Sequence, residues 1–172
     1  MTMDIQYLLF LQNIRFATQG IFNNFFSYVT TFGEWQIILL IAAALYWCVD
    51  KKAGALMALC YTSASMVNQF LKVTFCVYRP WIRSSKIEPI DGAKTTATGY
   101  SFPSGHSAGS SSAYGSLAYY YRKYRGIMWF FIILVLFVMF SRNFLGVHTP
   151  EDVVVGCCVG GGIALLMGNA FR

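Results

Sequence analysis

The 172-residue chain is too apolar for an ordinary soluble domain. Hydrophobic residues make up 56% of it and charged residues only 12%, whereas soluble domains carry roughly 25% charged residues. The net charge of +6 comes from clusters that lie between apolar runs. Because nucleic-acid binding needs a continuous basic face, this distribution argues against it. We therefore expect one domain, residues 1–172, that is integral to a membrane.

The first segment, residues 1–31, alternates apolar clusters with polar residues at roughly helical spacing. This pattern predicts an amphipathic helix at the membrane surface. The alternative is a first membrane span, which would place Arg15 and several amide side chains in lipid.

Five apolar segments follow, each long enough to be a membrane span. They cover residues 32–49, 53–71, 104–121, 126–144 and 153–171. A long polar segment, residues 72–102, separates the second from the third. The sequence therefore predicts an all-α polytopic membrane helix bundle of about five transmembrane helices in residues 32–172, with the N-terminal helix as a possible sixth span.

Basic residues predict the orientation of this bundle. Lys51 and Lys52 follow the first span, and a basic turn, Arg122–Arg125, follows the third. Alternate threading places both turns on one side, which the positive-inside rule assigns to the cytoplasm. The segments 72–104 and 144–152 then lie on the extracytoplasmic face.

The heptapeptide Tyr100–His106, YSFPSGH, joins the polar segment to the third span. Ser104 is predicted to cap a helix whose first turn holds Gly105 and His106. A helix start presents unpaired N–H groups and a positive dipole, which suit a phosphate. Gly105 would let the anion approach the backbone, and His106 would add a proton donor.

Two further polar clusters lie on the same extracytoplasmic face as this heptapeptide when successive spans cross the membrane in alternate directions. They consist of Lys72 with Arg79-Pro80, and of Ser141-Arg142 with His148 and Asp152. Thr149 is predicted to cap the last helix with Pro150 at its first position, which leaves Asp152 able to reach back to His148. That contact would fix the imidazole tautomer. Ser141 is either a local hydrogen-bonding residue or a substrate contact.

The pattern KxxxxxxRP…PSGH…SRxxxxxHxxxD is complete over residues 72–152. It resembles the membrane branch of the type-2 phosphatidic acid phosphatase family, which is related to bacterial acid phosphatases and vanadium haloperoxidases. The resemblance implies that His148 is a nucleophile forming a phosphohistidine, that Asp152 orients it, and that His106 is the general acid and base. It also implies a set of phosphate-binding residues: Lys72, Arg79, Ser104, Gly105 and Arg142. No metal or other cofactor is implied, since cationic side chains take that role.

The resulting hypothesis is a membrane lipid phosphatase with its active site in residues 72–106 and 141–152. Polyprenyl pyrophosphate, phosphatidylglycerol phosphate and phosphatidate all fit as substrates. The expected partners are this lipid and the bilayer, with no nucleic acid, and the oligomeric state is left open. The alternatives are a phosphotransferase with an acceptor other than water, and a non-catalytic lipid-binding or transport protein on the same fold.

Overall fold

A computed structural model describes residues 2–171, which form nine α-helices and no strand. The helices are α1 (Met3–Ala17), α2 (Ile21–Thr31), α3 (Trp35–Cys48), α4 (Lys51–Phe75), α5 (Pro80–Arg83), α6 (Asp91–Thr95), α7 (Gly105–Tyr120), α8 (Arg125–Phe144) and α9 (Pro150–Ala170). The predicted all-α class is confirmed. Helices α3, α4, α7, α8 and α9 correspond in order to the five apolar segments.

The N-terminal segment differs from the single helix predicted over residues 1–31. Gln19 and Gly20 have φ angles of 49° and 74°, a left-handed conformation that interrupts the helix. Helix α1 then packs its polar side chains against protein. The Glu88 N–H donates to Gln12 Oε1 at 2.9 Å, and the buried Arg15 guanidinium donates to the Glu88 carbonyl. Two of the polar residues that argued against a lipid environment, Gln12 and Arg15, are therefore bound by the loop that follows α5.

Two helices of the described residues, α8 and α9, are long and apolar enough to cross a membrane. Helices α2 and α3, bent by 51° at a short break, would make a third span if they are counted as one. Large apolar side chains such as Leu40, Trp129 and Leu166 are exposed on the bundle surface, as expected where lipid covers a protein. The number of five spans stays a prediction.

Helix α7 lies at the centre of the bundle, packed among α4, α8 and α9. It is rich in small residues, and its buried serines donate to carbonyls one turn earlier, as Ser112 does to Gly109 at 2.9 Å. Helix α9 approaches it closely at Gly156, where a Cβ atom would lie 2.6 Å from the Ser104 carbonyl oxygen. Small residues at the contact permit this distance. The approach fixes the start of α9 against the start of α7.

The two ends of the bundle differ in chemistry. At one end the Tyr120 hydroxyl donates to Asp50 Oδ2 at 3.0 Å, which joins the end of α7 to the α3–α4 turn. The basic turns at Lys51–Lys52 and Arg122–Arg125 therefore share one end, as predicted. The opposite end holds the starts of α7 and α9 and the ends of α4 and α8.

Candidate active site

His148 lies in a buried turn between α8 and α9 that holds its ring in place. Gly146 has a φ of 77°, which glycine adopts without strain. The Asn143 side chain donates its Nδ2–H to the His148 carbonyl at 3.0 Å. Nothing in the sequence pattern had singled out Asn143. These two features fix the backbone that carries the imidazole.

Asp152 connects this histidine to the start of α9. Thr149 caps the helix as predicted, with Pro150 at the first position and a capping box in which the Thr149 N–H donates to Asp152 Oδ2 at 2.9 Å. The same carboxylate oxygen lies 3.2 Å from His148 Nδ1. The cap therefore directs Asp152 back to the imidazole, and a carboxylate in this place favours the tautomer protonated at Nδ1.

Ser101 is a site residue that the sequence analysis missed. Its hydroxyl donates to Asp152 Oδ2 at 2.5 Å, and both side chains are buried. The Ser101 N–H donates to the Val77 carbonyl at 2.7 Å, which fixes the backbone of the segment that carries it. Ser101 stands within the heptapeptide YSFPSGH, so its position in sequence was the one available signal. It restrains the carboxylate that orients His148.

Arg79 lies against the other side of the same imidazole. Its Nη1 is 2.9 Å from His148 Nε2, while its Nε and Nη2 donate to the carbonyls of Gly99 and Thr98 at 3.0 and 2.6 Å. Burial lowers the pKa of Arg79 from 12.5 to about 10, which leaves the side chain cationic at neutral pH. Because a guanidinium only donates hydrogen bonds, Nε2 is the nitrogen with the free lone pair.

Protonation of His148 itself is disfavoured at this position. Complete burial and the neighbouring charge of Arg79 lower the pKa of His148 below its ordinary value, although Asp152 acts in the opposite direction. The imidazole is therefore neutral at physiological pH, with its proton on Nδ1 and its lone pair on Nε2. This is the form that can act as a nucleophile.

A cavity of about 680 Å³ opens beside this histidine. Lys72, in the last turn of α4, lines it together with Arg79, Gly105, His106 and His148. The Lys72 ammonium is held by the Tyr100 carbonyl at 2.7 Å. The structure thus brings together both histidines and two of the three predicted cations at one opening.

The start of α7 confirms Ser104 as the N-cap. Its hydroxyl accepts from the Ser107 N–H at 3.4 Å and from the Ser107 hydroxyl at 3.1 Å. Gly105 lines the cavity, but Ser104 is completely buried and is not among the lining residues. A phosphate contact by Ser104 therefore stays a prediction. Its hydroxyl would have to reach the phosphate while it also caps α7.

Arg142 lies behind the cavity rather than on its surface. The side chain is fully buried, and its Nη1 donates to the Thr30 hydroxyl of α2 at 2.7 Å. Its Nε and Nη2 have no hydrogen-bond partner among residues 2–171. It nevertheless lies within electrostatic range of Lys72, His106 and His148. Thr30 was not predicted, because residues 112 positions apart leave no local pattern.

The described part of the chain holds no cluster of metal-ligating side chains. No group of three His, Cys, Asp or Glu side chains there is close enough together to hold an ion. The chemistry that these residues can offer is instead a neutral imidazole nucleophile, a second imidazole, and guanidinium and ammonium groups that bind phosphate oxygens.

Comparisons with known proteins identify the family to which the chain is related. The profile of the PAP2 superfamily matches residues 53–172. The chain is 27% identical over 145 residues to an undecaprenyl-diphosphatase of Sulfolobus acidocaldarius, covering 84% of this chain and 68% of that protein. It is 26% identical over 132 residues to phosphatidylglycerophosphatase B of Bacillus subtilis, covering 72% of this chain and 61% of that protein.

A solved structure has the same fold. The crystal structure of a transmembrane PAP2 type phosphatidylglycerolphosphate phosphatase from Bacillus subtilis matches 97% of this chain and 83% of its own, with a TM-score of 0.79 and 24% identity. The match extends over α1 and α2 as well as over the residues that the family profile covers.

Proposed function

The chain belongs to the PAP2 superfamily, and on this premise we propose that it is a membrane-integral lipid phosphatase. It hydrolyses a lipid phosphomonoester or pyrophosphate through a phosphohistidine intermediate. One observation carries the proposal: His148 has its Nδ1 next to Asp152 and its Nε2 next to Arg79. A buried imidazole held in this way, beside a cavity with cations, is arranged for attack on phosphorus.

In the first half of the reaction, His148 Nε2 attacks the phosphorus atom and the bond to the leaving oxygen breaks. His106, which becomes protonated when the anionic phosphate group binds next to it, donates a proton to that oxygen, so the lipid leaves as a neutral alcohol, or as a phosphate when the substrate is a pyrophosphate. Lys72, Arg79 and Arg142 stabilise the charge on the equatorial oxygens, with the N–H groups at the start of α7. Asp152 stabilises the imidazolium that forms.

In the second half, water replaces the lipid. His106, now unprotonated, removes a proton from the water, which attacks phosphorus and breaks the bond to His148 Nε2. Inorganic phosphate is released and both histidines return to their initial states. Arg79 must move from Nε2 to the phosphate oxygens when substrate binds, because the lone pair that it contacts is the attacking one.

The choice of a lipid rests on where the site lies. The cavity is at one end of a bundle whose outer surface exposes large apolar side chains, so a phosphate on a membrane lipid can reach it. We place this end on the extracytoplasmic face, because Lys51–Lys52 and Arg122–Arg125 lie at the opposite end. The names of the two relatives, an undecaprenyl-diphosphatase and a phosphatidylglycerophosphatase, support this class of substrate.

The deciding experiment measures release of inorganic phosphate in detergent with EDTA present. The purified protein is tested on polyprenyl pyrophosphate, phosphatidylglycerol phosphate and phosphatidate, with water as the sole acceptor. We expect turnover of at least one lipid, and loss of at least about 10³-fold in His148→Ala, as when a nucleophile is removed. Glu151→Gln, on the exposed face of the first turn of α9, is the matched control and keeps full activity. Phosphate release that requires an added alcohol acceptor would instead identify a phosphotransferase, and release that persists in His148→Ala would exclude the phosphohistidine.

A further inference from the structure

The break between α2 and α3, residues 32–34, packs against elements that carry the site. A Cβ atom on Gly33 would lie 3.0 Å from His106 Cδ2 and 2.9 Å from Val138 Cγ1, so α7 and α8 both approach this glycine closely. Val138 stands about one helical turn before Arg142 on α8. Helix α2 therefore ends beside the charged end of α8.

Aromatic packing turns one face of α2 towards α8. The centroid of the Phe26 ring lies 5.3 Å from that of Phe140 and 4.4 Å from that of Phe144. These last two residues flank Arg142 in the sequence. Residues four apart on a helix share a face, so Thr30 lies on the same side of α2 as Phe26. The buried Thr30 hydroxyl accepts from Arg142 Nη1 at 2.7 Å.

Within residues 2–171, Arg142 uses only part of its capacity for hydrogen bonds. Its guanidinium is fully buried, and Nε and Nη2 have no acceptor there. These two nitrogens form one edge of the planar guanidinium, an edge that can donate to two oxygens of a phosphate group. The Thr30 hydroxyl is bound to the third nitrogen, Nη1, so it leaves this bidentate edge free.

A hydrogen bond at Nη1 restrains the whole guanidinium, because its three nitrogens lie in one plane. An arginine side chain has many rotamers, and fixing them before a ligand arrives removes that entropic cost from binding. Glu34 lines the cavity and is within electrostatic range of Arg142, so a guanidinium released from Thr30 can pair with this carboxylate. The Thr30 hydroxyl therefore favours the arrangement in which Arg142 binds an anionic ligand.

We propose that Thr30 is a positioning residue for Arg142, whose guanidinium it fixes so that Nε and Nη2 bind two oxygens of the phosphoryl group. The inference rests on the proposed phosphatase function and adds to it a residue of α2. Residue 30 precedes the part of the chain that the family profile matches, residues 53–172, so the family's motifs do not include it.

The experiment compares the wild type with Thr30→Val, which removes the hydroxyl, and with Thr30→Ser, which keeps it. The Kd of inorganic phosphate is obtained from the rise of the unfolding temperature with phosphate concentration, in detergent at constant ionic strength. The value of kcat/KM is measured for each lipid that the wild type hydrolyses among polyprenyl pyrophosphate, phosphatidylglycerol phosphate and phosphatidate.

We expect Thr30→Val to raise this Kd about tenfold and to lower kcat/KM by at least as much, the effect of losing a hydrogen bond to a charged group. Thr30→Ser should keep both values within about threefold of the wild type. Thr31→Val is the matched control, because the Thr31 hydroxyl donates to the Tyr28 carbonyl of its own helix at 2.7 Å, and it should change neither value. Thr30→Ala, which also lacks the hydroxyl, should reproduce the loss if Thr30→Val does not fold.

A purely structural hydroxyl would have a different signature. Thr30→Val would then lower the unfolding temperature while the folded protein kept its Kd and kcat/KM, and this result would refute the proposal. A double-mutant cycle with Arg142→Lys gives a second readout, since an ammonium has no planar edge for Thr30 to orient. In that background Thr30→Val should have at most a twofold effect on kcat/KM, and a full tenfold effect would show that Thr30 acts on another group.

The phosphate titration does not depend on turnover, so the two proposals can fail separately. If the wild type hydrolyses a lipid and Thr30→Val binds phosphate as tightly as the wild type, the positioning role alone is refuted. If the wild type binds phosphate more tightly than Thr30→Val but releases none from the three lipids, the phosphatase function alone is refuted. A wild type that phosphate does not stabilise would refute both.

Discussion

The hydroxyl group of Ser101 offers the sharpest test of how the nucleophile is prepared. The group donates to Asp152 Oδ2 at 2.5 Å, the same oxygen that lies 3.2 Å from His148 Nδ1. In Ser101→Ala the carboxylate keeps the Thr149 N–H as a donor, so it is not left unsatisfied. The carboxylate loses one of the restraints that hold it against the imidazole.

The size of the effect follows from that partial loss. A hydrogen bond to a charged group contributes about 1.5–3 kcal/mol, and we expect about half of it to be lost from the transition state. This corresponds to a decrease in kcat of about four- to twelvefold. Because Ser101 does not line the cavity, KM should remain within about twofold of the wild-type value.

The assay is steady-state phosphate release at several lipid concentrations, with kcat and KM determined separately. Ser101→Thr keeps the hydroxyl and should restore most of the activity. Ser112→Ala is the matched control, since it removes another buried serine hydroxyl that bonds only to its own helix. A rise in KM at constant kcat would make Ser101 a substrate contact, and an unchanged kcat would refute the restraint.

Two further outcomes follow from burial and packing. Because burial lowers the pKa of His148, its neutral form persists as the pH falls, so the acid limb of the kcat/KM profile should not follow the histidine's ordinary pKa of about 6.5. An acid limb with its half-maximum there, after correction for ionisation of the substrate phosphate, would contradict this, whereas the alkaline limb reports the proposed acid His106. Gly156→Ala should lower the unfolding temperature in detergent, since its Cβ would lie 2.6 Å from the Ser104 carbonyl oxygen, at a cost of about 1–3 kcal/mol. At Gly161 nothing lies within 4 Å of an added Cβ, so Gly161→Ala should raise the unfolding temperature through the higher helix propensity of alanine. Equal effects of the two changes would show that α7 and α9 are not tightly packed at Gly156.

The sequence predicted those parts of the site that depend on local chain geometry. Thr149, Pro150 and Asp152 form a cap whose spacing is visible in the sequence, and the structure contains that cap. Ser104 was likewise identified as the start of α7. The position of a side chain in the first turn of a helix follows from the cap alone, so no tertiary information was needed.

Contacts between distant segments could not be predicted in this way. The hydrogen bond from Arg142 to Thr30 depends on α2 packing against α8, and no periodicity in either segment encodes it. The break at Gln19 and Gly20 was missed for a related reason: a single glycine is tolerated in a helix, and the polar residues of α1 looked like a surface face. Their actual partners lie more than 70 residues away, in the loop after α5.

This end of the bundle buries three cationic side chains with few compensating carboxylates. Lys72, Arg79 and Arg142 are all at least nine-tenths buried, and burying each of them costs several kcal/mol. Their nearest buried carboxylate, that of Asp152, is already bound by three donors. Backbone carbonyls offset part of the cost for Lys72 and Arg79, whereas two nitrogens of Arg142 have no partner in the described chain. Such an excess of positive charge destabilises the fold by itself. Under the proposed function it would bind a phosphoryl group that gains negative charge, so its stabilising effect would be greatest in the transition state.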